Sequence, residues 1–228
     1  MNTPTEKVET SPAPTLDANK VALIRRFLGL MCWLDGRTML DVLMPFQLGI
    51  FNELLATIRP DGAPLYKRGL IHVAKKNAKT LLLILAAMFT LHTDEPMGRK
   101  GCQIIYVAND EGQADENLDF TKKLYRCNPI LMDAVTVKSN VIELKNGEGY
   151  IEIVASGNTD GLHGRSYRLL AFDELHAQVD YRVLESLELD PTRPDAQQLF
   201  ASYSPLVPRL GIPITEIGRA SCRERVWR

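Results

Sequence analysis

Gly69-Leu70-Ile71-His72-Val73-Ala74-Lys75-Lys76-Asn77-Ala78-Lys79-Thr80, with the apolar run Leu81–Phe89 behind it, reads as strand, short polar loop, Lys-Thr and buried helix. A phosphate-binding loop has that order. Backbone N–H groups and the positive end of a helix converge on phosphate, a lysine reaches its oxygens, and a hydroxyl holds a metal ion. The chain departs from the pattern G-x-x-x-x-G-K-[ST] at both glycines, where Val73 and Ala78 stand. Losing a glycine removes its tolerance for positive φ but leaves the N–H donor in place. The competing reading is a lysine-rich turn that caps a buried helix. Lys138-Ser139 serves as an internal comparison, because a strand pattern, Val141–Leu144, follows it and offers no helix N-terminus.

Around this stretch the composition is ordinary. The 228 residues suit one sizeable domain or two small ones, and 45% of them are hydrophobic. A net charge of −1 advertises no global basic field for nucleic acid. Cys32, Cys102, Cys127 and Cys222 contain no CxxC pair, which argues against a disulfide framework or a zinc site. The polar N-terminus lacks a signal-peptide pattern. Leu81–Phe89 is about half of the ~20 residues a membrane span needs, so a soluble intracellular protein is expected, with no membrane partner.

Along the chain, residues 1–16 are rich in Thr, Pro, Ser and Glu and read as a disordered tail. Residues 17–60 read as an N-terminal helical segment, with one helix over Leu16–Leu28 and another starting at Pro45 and ending before Pro60-Asp61-Gly62. Residues 61–217 read as the α/β core. Its strands are Leu70–Ala74, Gln103–Ala108, Arg168–Phe172 and Gln198–Ser202. Its helices are Lys79–Leu91, Glu111–Arg126 (capped by Asn109-Asp110) and Tyr181–Leu189. Val135–Lys138, Val141–Leu144 and Tyr150–Ala155, with a turn at Lys145-Asn146-Gly147, read as a β-hairpin at an edge. Strands alternating with helices argue for a mostly parallel sheet, with ligands beyond the strands' carboxyl ends. Residues 218–228, with four arginines and no clear pattern, read as a non-native tail.

A second cluster bears on the loop. The apolar strand Arg168–Phe172 ends in Asp173-Glu174. One carboxylate placed there can hold Mg²⁺ and the next can polarise a water, although a solvated pair of acids is the bland alternative. The two clusters, in that order and both on strand ends, support a nucleoside triphosphatase. Lys79 would then neutralise phosphate charge, and Thr80 and Asp173 would hold Mg²⁺. Glu174 would activate the attacking water, and the backbone of Lys75, Lys76, Asn77, Ala78, Lys79 and Thr80 would line the phosphates. Gln47 could pair with an adenine edge or lie free on a helix surface. His163 and His176 are read as structural. Arg165 and Arg168 are each open to two readings, phosphate stabilisation or a solvated position.

These residues resemble the large terminase subunit of tailed bacteriophages, over a stretch from Met44-Pro45-Phe46-Gln47 to Ser204-Pro205. Val73 to Thr80 is similar to that family's deviant Walker A loop, although the family usually keeps a glycine where Ala78 stands. Val107-Ala108-Asn109-Asp110 through Gln113-Ala114 is similar to the segment between its Walker motifs. Gly161 to Arg165 and Leu169 to His176 are similar to its Walker B region. Ala201-Ser202-Tyr203-Ser204 loosely matches its coupling motif, which marks Ser202. Pro45-Phe46-Gln47 is similar to its adenine-contacting motif.

The resemblance implies a P-loop NTPase fold of the additional-strand type and ATP with Mg²⁺ as cofactors. It implies double-stranded DNA as the moved substrate and action in the cytoplasm of a bacterial host. Further implied partners are a portal protein on a procapsid, a small terminase subunit and a homo-oligomeric ring. A nuclease domain is expected after the motor domain and is expected to be absent from this chain. The rival expectations are a helicase-like P-loop ATPase and a non-catalytic nucleotide-binding module.

Overall fold

The structure, a computed structural model, describes residues 15–94, 101–157, 161–177, 182–202 and 224–227. In chain order these form β1 (Thr15–Leu16), α1 (Ala18–Leu30), α2 (Met39–Val42), α3 (Pro45–Ala56), β2 (Thr57–Ile58), β3 (Arg68–His72) and α4 (Lys79–Asp94). Then come β4 (Cys102–Ala108), α5 (Glu111–Arg126), α6 (Pro129–Asp133), β5 (Val135–Val137), β6 (Val141–Leu144) and β7 (Gly149–Ala155). The last are β8 (Leu169–Phe172), a 3-10 turn at Leu175–Ala177, α7 (Arg182–Ser186), β9 (Gln197–Ser202) and β10 (Glu224–Trp227).

Among the described residues the main sheet has eight strands, in the order β10-β3-β9-β8-β4-β7-β6-β5. Strands β3, β9, β8, β4 and β7 run parallel, and β6 and β5 extend the sheet antiparallel from β7. Strands β8 and β9 are buried at every residue. The continuous apolar run of β8 is what a parallel sheet covered on both faces requires, whereas β9 also buries Gln197, Gln198 and Ser202. The order also places β9 between the loop strand β3 and the acid-bearing strand β8.

Helix α4 is apolar nearly all round because it is covered on nearly every side. It lies on β4, β7, β8 and β9, with α3 against it. Phe89 meets Phe27 of α1 edge-on at 5.6 Å and Phe51 of α3 at 6.0 Å between ring centroids. Each such aromatic pair contributes about 0.5–1.5 kcal/mol beyond its buried area. Gly69 lets α3 sit close on β3: a Cβ there would lie 2.6 Å from Leu54 Cδ2 and 3.1 Å from Leu199 Cδ2. The N-terminal helices and the sheet thus share one core, which includes Ile24, Leu28, Phe51, Leu54, Leu85 and Ile104. The other face of the sheet is packed by Leu70, Ile105, Val107, Leu170, Phe172 and Phe200.

Several elements differ from the sequence reading. Thr15 and Leu16, expected in a disordered tail, pair with Ile58 and Thr57 as β1. The Pro129 that ends α5 also starts α6, since proline suits a helix's first turn. Four-residue α2 has too few turns to show a period. The expected helix over Tyr181–Leu189 is only Arg182–Ser186 where described, and Tyr181 lies outside the described residues. Glu224–Trp227, from the patternless arginine-rich tail, lies parallel to β3 as β10. Residues 1–14, 218–223 and 228 of the two expected tails lie outside the described residues. No helix among the described residues is long and apolar enough to cross a membrane.

His92 of α4 lies 3.0 Å from the Tyr125 hydroxyl of α5, and burial pushes its pKa down to about 4 from 6.5. The unfolded chain therefore takes up a proton near pH 6.5 that the folded chain refuses until pH 4. Stability from this group is fully present above 6.5 and is lost as pH falls toward 4, by up to ~3 kcal/mol. Urea unfolding of wild type and His92→Gln at pH 7.5 and pH 4.5 should show a smaller pH-dependent loss in the variant. Equal losses would contradict this assignment.

Candidate functional site

Helix α4 begins where the loop residues 73–78 end. Ala78 O accepts from Leu82 N–H, so Ala78 takes the cap position. The first-turn N–H groups of any helix have no partner within it, and an alanine has no side-chain oxygen to satisfy them. They converge with the helix's positive end, which is the geometry that receives an anion. Among the described residues Lys76, Ala78 and Glu174 are the non-glycine positions with positive φ, at 64°, 56° and 50°. For a residue with a Cβ that conformation costs about 1–3 kcal/mol. Lys76 and Ala78 lie on the loop before α4, and Glu174 follows the acid to which Thr80 donates. Val73 and Ala78 replace the expected glycines, and Ala78 still adopts the left-handed conformation that a glycine there would take easily.

Lys79 is half-buried, and its Nζ donates to the carbonyls of Val73 (2.9 Å) and Ala74 (3.0 Å). Burial lowers its pKa, and the charges of Asp173 and Glu174 across the gap work against that shift. The next residue closes the gap. Thr80 Oγ1 donates to Asp173 Oδ2 at 2.6 Å. The same Oδ2 accepts from the Tyr106 hydroxyl at 3.0 Å, and Asp173 Oδ1 accepts from Glu174 N–H at 3.0 Å. Burial pushes the Asp173 carboxyl above its usual range, while the two hydroxyls and the N–H pull it back. Burial and the Asp173 charge hold the Tyr106 phenol well above its usual pKa, so it remains a donor.

Lys79, Thr80, Asp173 and Glu174 are therefore brought together, on the carboxyl ends of β3 and β8. Lys75 and Lys76 are exposed on the loop. Asn77 shapes it, with Nδ2 donating to Ala74 O (3.1 Å) and Lys75 O (3.3 Å). Gln47 is buried, not free on a surface. Its Oε1 accepts from Met44 N–H at 2.8 Å, the reciprocal half of a capping box at the third helical position. Its Nε2 donates to Asn77 O at 3.1 Å and so ties α3 to the loop. An amide carries a second N–H and a second lone pair beyond those two bonds.

Ser202 is fully buried, paired with His72 of β3, and its Oγ has no hydrogen-bond partner among the described residues. Alternation puts it on the face of Phe200, opposite α4. Tyr203, Ser204 and Pro205 lie outside the described residues.

The arginines answer neither reading offered for them. Arg168 sits at the start of β8, the far end of the strand from Asp173. It is buried between Asp94 (3.0 Å) and Asp195 (3.3 Å). Breaking such a buried pair costs about 3–5 kcal/mol, so its work is structural. Arg165 pairs with Glu152 and donates to the Tyr150 hydroxyl at 3.0 Å, on edge-side β7. His163 Nε2 lies 3.2 Å from Ser186 Oγ.

Among the described residues no group of three or more His, Cys, Asp or Glu side chains could hold a metal ion. Magnesium keeps several waters, binds phosphate oxygens and needs only one or two protein oxygens. Thr80 Oγ1 beside Asp173 fits that demand. Tyr106 is the member of the site that sequence reasoning missed. A tyrosine within the apolar run Ile104–Ala108 was the available signal.

The mostly parallel sheet flanked by helices fits an α/β P-loop NTPase fold. Among solved structures the chain is similar to the HK97 bacteriophage large terminase, at 19% identity and a TM-score of 0.66, covering 80% of this chain and 37% of that one. It is also similar to the ATPase domain of the Thermus phage P74-26 large terminase, at 18% identity and a TM-score of 0.50, covering 72% of this chain and 67% of that one. The chain thus matches only 37% of the length of the HK97 protein. No curated protein matches it in sequence. The family described as "Terminase large subunit, ATPase domain" matches residues 45–193. The chain belongs to the terminase large-subunit ATPase-domain family.

Proposed function

We propose that this chain binds ATP between the start of α4 and the Asp173-Glu174 pair and hydrolyses it with magnesium. In this reading it is the motor of a large terminase that drives double-stranded DNA into a procapsid. The observation that carries the reading is the 2.6 Å bond from Thr80 to Asp173. It closes the loop of one strand onto the acid of another, with Lys79 on one side and Glu174 on the other.

The chemistry follows from the placement. Lys79 Nζ already donates to two carbonyls of its own loop, and phosphate oxygens replace them as stronger, charged acceptors. The first-turn N–H groups of α4 and the backbone from Lys75 to Thr80 hold the phosphate chain. Gln47, fixed by its bonds to Met44 and Asn77, offers its remaining N–H and lone pair to the adenine edge. Thr80 and Asp173 are the protein oxygens for magnesium, which when bound neutralises charge on the β- and γ-phosphates. Glu174 orients the attacking water and takes its proton as the O–P bond to water forms and the bridging bond to ADP breaks. Ser202, at the end of β9 between the two halves of the site, is proposed to couple hydrolysis to movement.

The partners proposed are a portal-bearing procapsid, a small terminase subunit and further copies of this chain in a ring, working in the host cytoplasm. Phosphate release with magnesium and ATP tests the reading, measured alone, with linear DNA, and with portal-bearing procapsids plus DNA. Turnover that rises most with procapsids is expected. Stimulation by DNA alone to the same level would favour a helicase-like ATPase. ATP binding without turnover under any condition would favour a binding module.

A further inference from the structure

Tyr106 is held at the site by sheet geometry. Along β4, Cys102, Ile104 and Tyr106 share the core beneath α4, while Ile105 and Val107 join the core of the opposite face. Register pairs Tyr106 with Ala171 of β8, so Asp173 is its diagonal neighbour on the same face. An aromatic side chain spans that diagonal. Ala171 is small, and the hydroxyl passes it to reach Asp173 Oδ2 at 3.0 Å.

The carboxylate of Asp173 is thereby held from three directions. Thr80 on α4 and Tyr106 on β4 both donate to Oδ2, and the N–H of Glu174 donates to Oδ1. A carboxylate oxygen has two lone-pair directions, so Oδ2 is fully used and Oδ1 keeps one. Rotation of the carboxylate breaks bonds to two elements at once. Phenylalanine would fill the same buried space. A buried hydroxyl is unfavourable unless it has a partner, and this one has the acid itself.

We propose that Tyr106 is a positioning residue of the ATPase site: its hydroxyl fixes the Asp173 carboxylate so that Thr80 and Asp173 are presented together to a magnesium–triphosphate. The inference rests on the functional reading above, and it adds a residue to which neither the loop motif nor the acid motif assigns a role.

The test is Tyr106→Phe against wild type, with equal thermal midpoints as the check on folding. Affinity for a fluorescent ATP analogue is measured in EDTA and in magnesium, and kcat and KM are measured for magnesium–ATP. The expected result is unchanged affinity in EDTA, an about tenfold smaller magnesium-dependent gain in affinity, and a kcat lowered about tenfold. Wild-type magnesium dependence in the variant would overturn the inference and leave the functional reading standing. So would an equal loss of affinity in EDTA and magnesium, because that marks a packing role only. Absence of nucleotide binding by the wild type would overturn the functional reading, and this inference with it.

Discussion

Glu174→Gln is expected to lower phosphate release by about 10²–10⁴-fold and to leave ATP affinity close to wild type. The substitution keeps the length and shape of the side chain and removes only its capacity to take a proton. It also leaves the backbone arrangement intact, since the bond from residue 174 to Asp173 Oδ1 is made by the main-chain N–H. An effect confined to turnover separates proton transfer from binding. The measurement is a single-turnover assay with radiolabelled ATP, beside equilibrium binding of the same nucleotide. Turnover within a few-fold of wild type would remove Glu174 from the chemistry.

Lys79→Ala is expected to weaken ATP binding by about 10²-fold or more. Two unit charges 4 Å apart at an effective dielectric near 20 attract by about 4 kcal/mol, and partial solvent screening at a half-buried site takes back part of it. About 3 kcal/mol remains, which corresponds to about 150-fold. The substitution also strips the donor from the Val73 and Ala74 carbonyls. Those carbonyls lie on a loop that water can reach, so their loss is a smaller effect than the loss of the ammonium. Isothermal titration with ATP measures the difference, with Lys75→Ala as the comparison for a lysine exposed on the same loop. Equal, small losses in both variants would mean that bulk positive charge, and not the placed amine, attracts the nucleotide.

The legible parts of the fold were those fixed by local chemistry. Asp110 caps α5 by accepting from Gln113 N–H at 2.9 Å, as a residue ahead of a helical period should. Pro45 opens α3, and the uninterrupted apolar run 81–89 lies in α4. The pairing of loop and acids could be read because each cluster ends a strand, and parallel strands gather their ends on one side of a sheet.

What stayed hidden depends on register and on distant partners. Residue spacing alone does not say that β9 lies between β3 and β8, or that Tyr106 is diagonal to Asp173. Arg168 looked like a free or phosphate-facing arginine because its partners, Asp94 and Asp195, are far away in sequence. Spacing left Gln47 open between an adenine contact and a surface position because its loop partner, Asn77, is 30 positions on.

The two hydrogen bonds of Gln47 have an energetic corollary. One end of its amide completes the start of α3 and the other end holds a carbonyl of the loop before α4, the loop proposed to bind nucleotide. Linkage is symmetric: whatever free energy nucleotide adds to the seating of α3, the seating of α3 returns to nucleotide affinity. A neighbouring molecule that presses on or loosens this helix would therefore tune the grip on ATP without touching a phosphate.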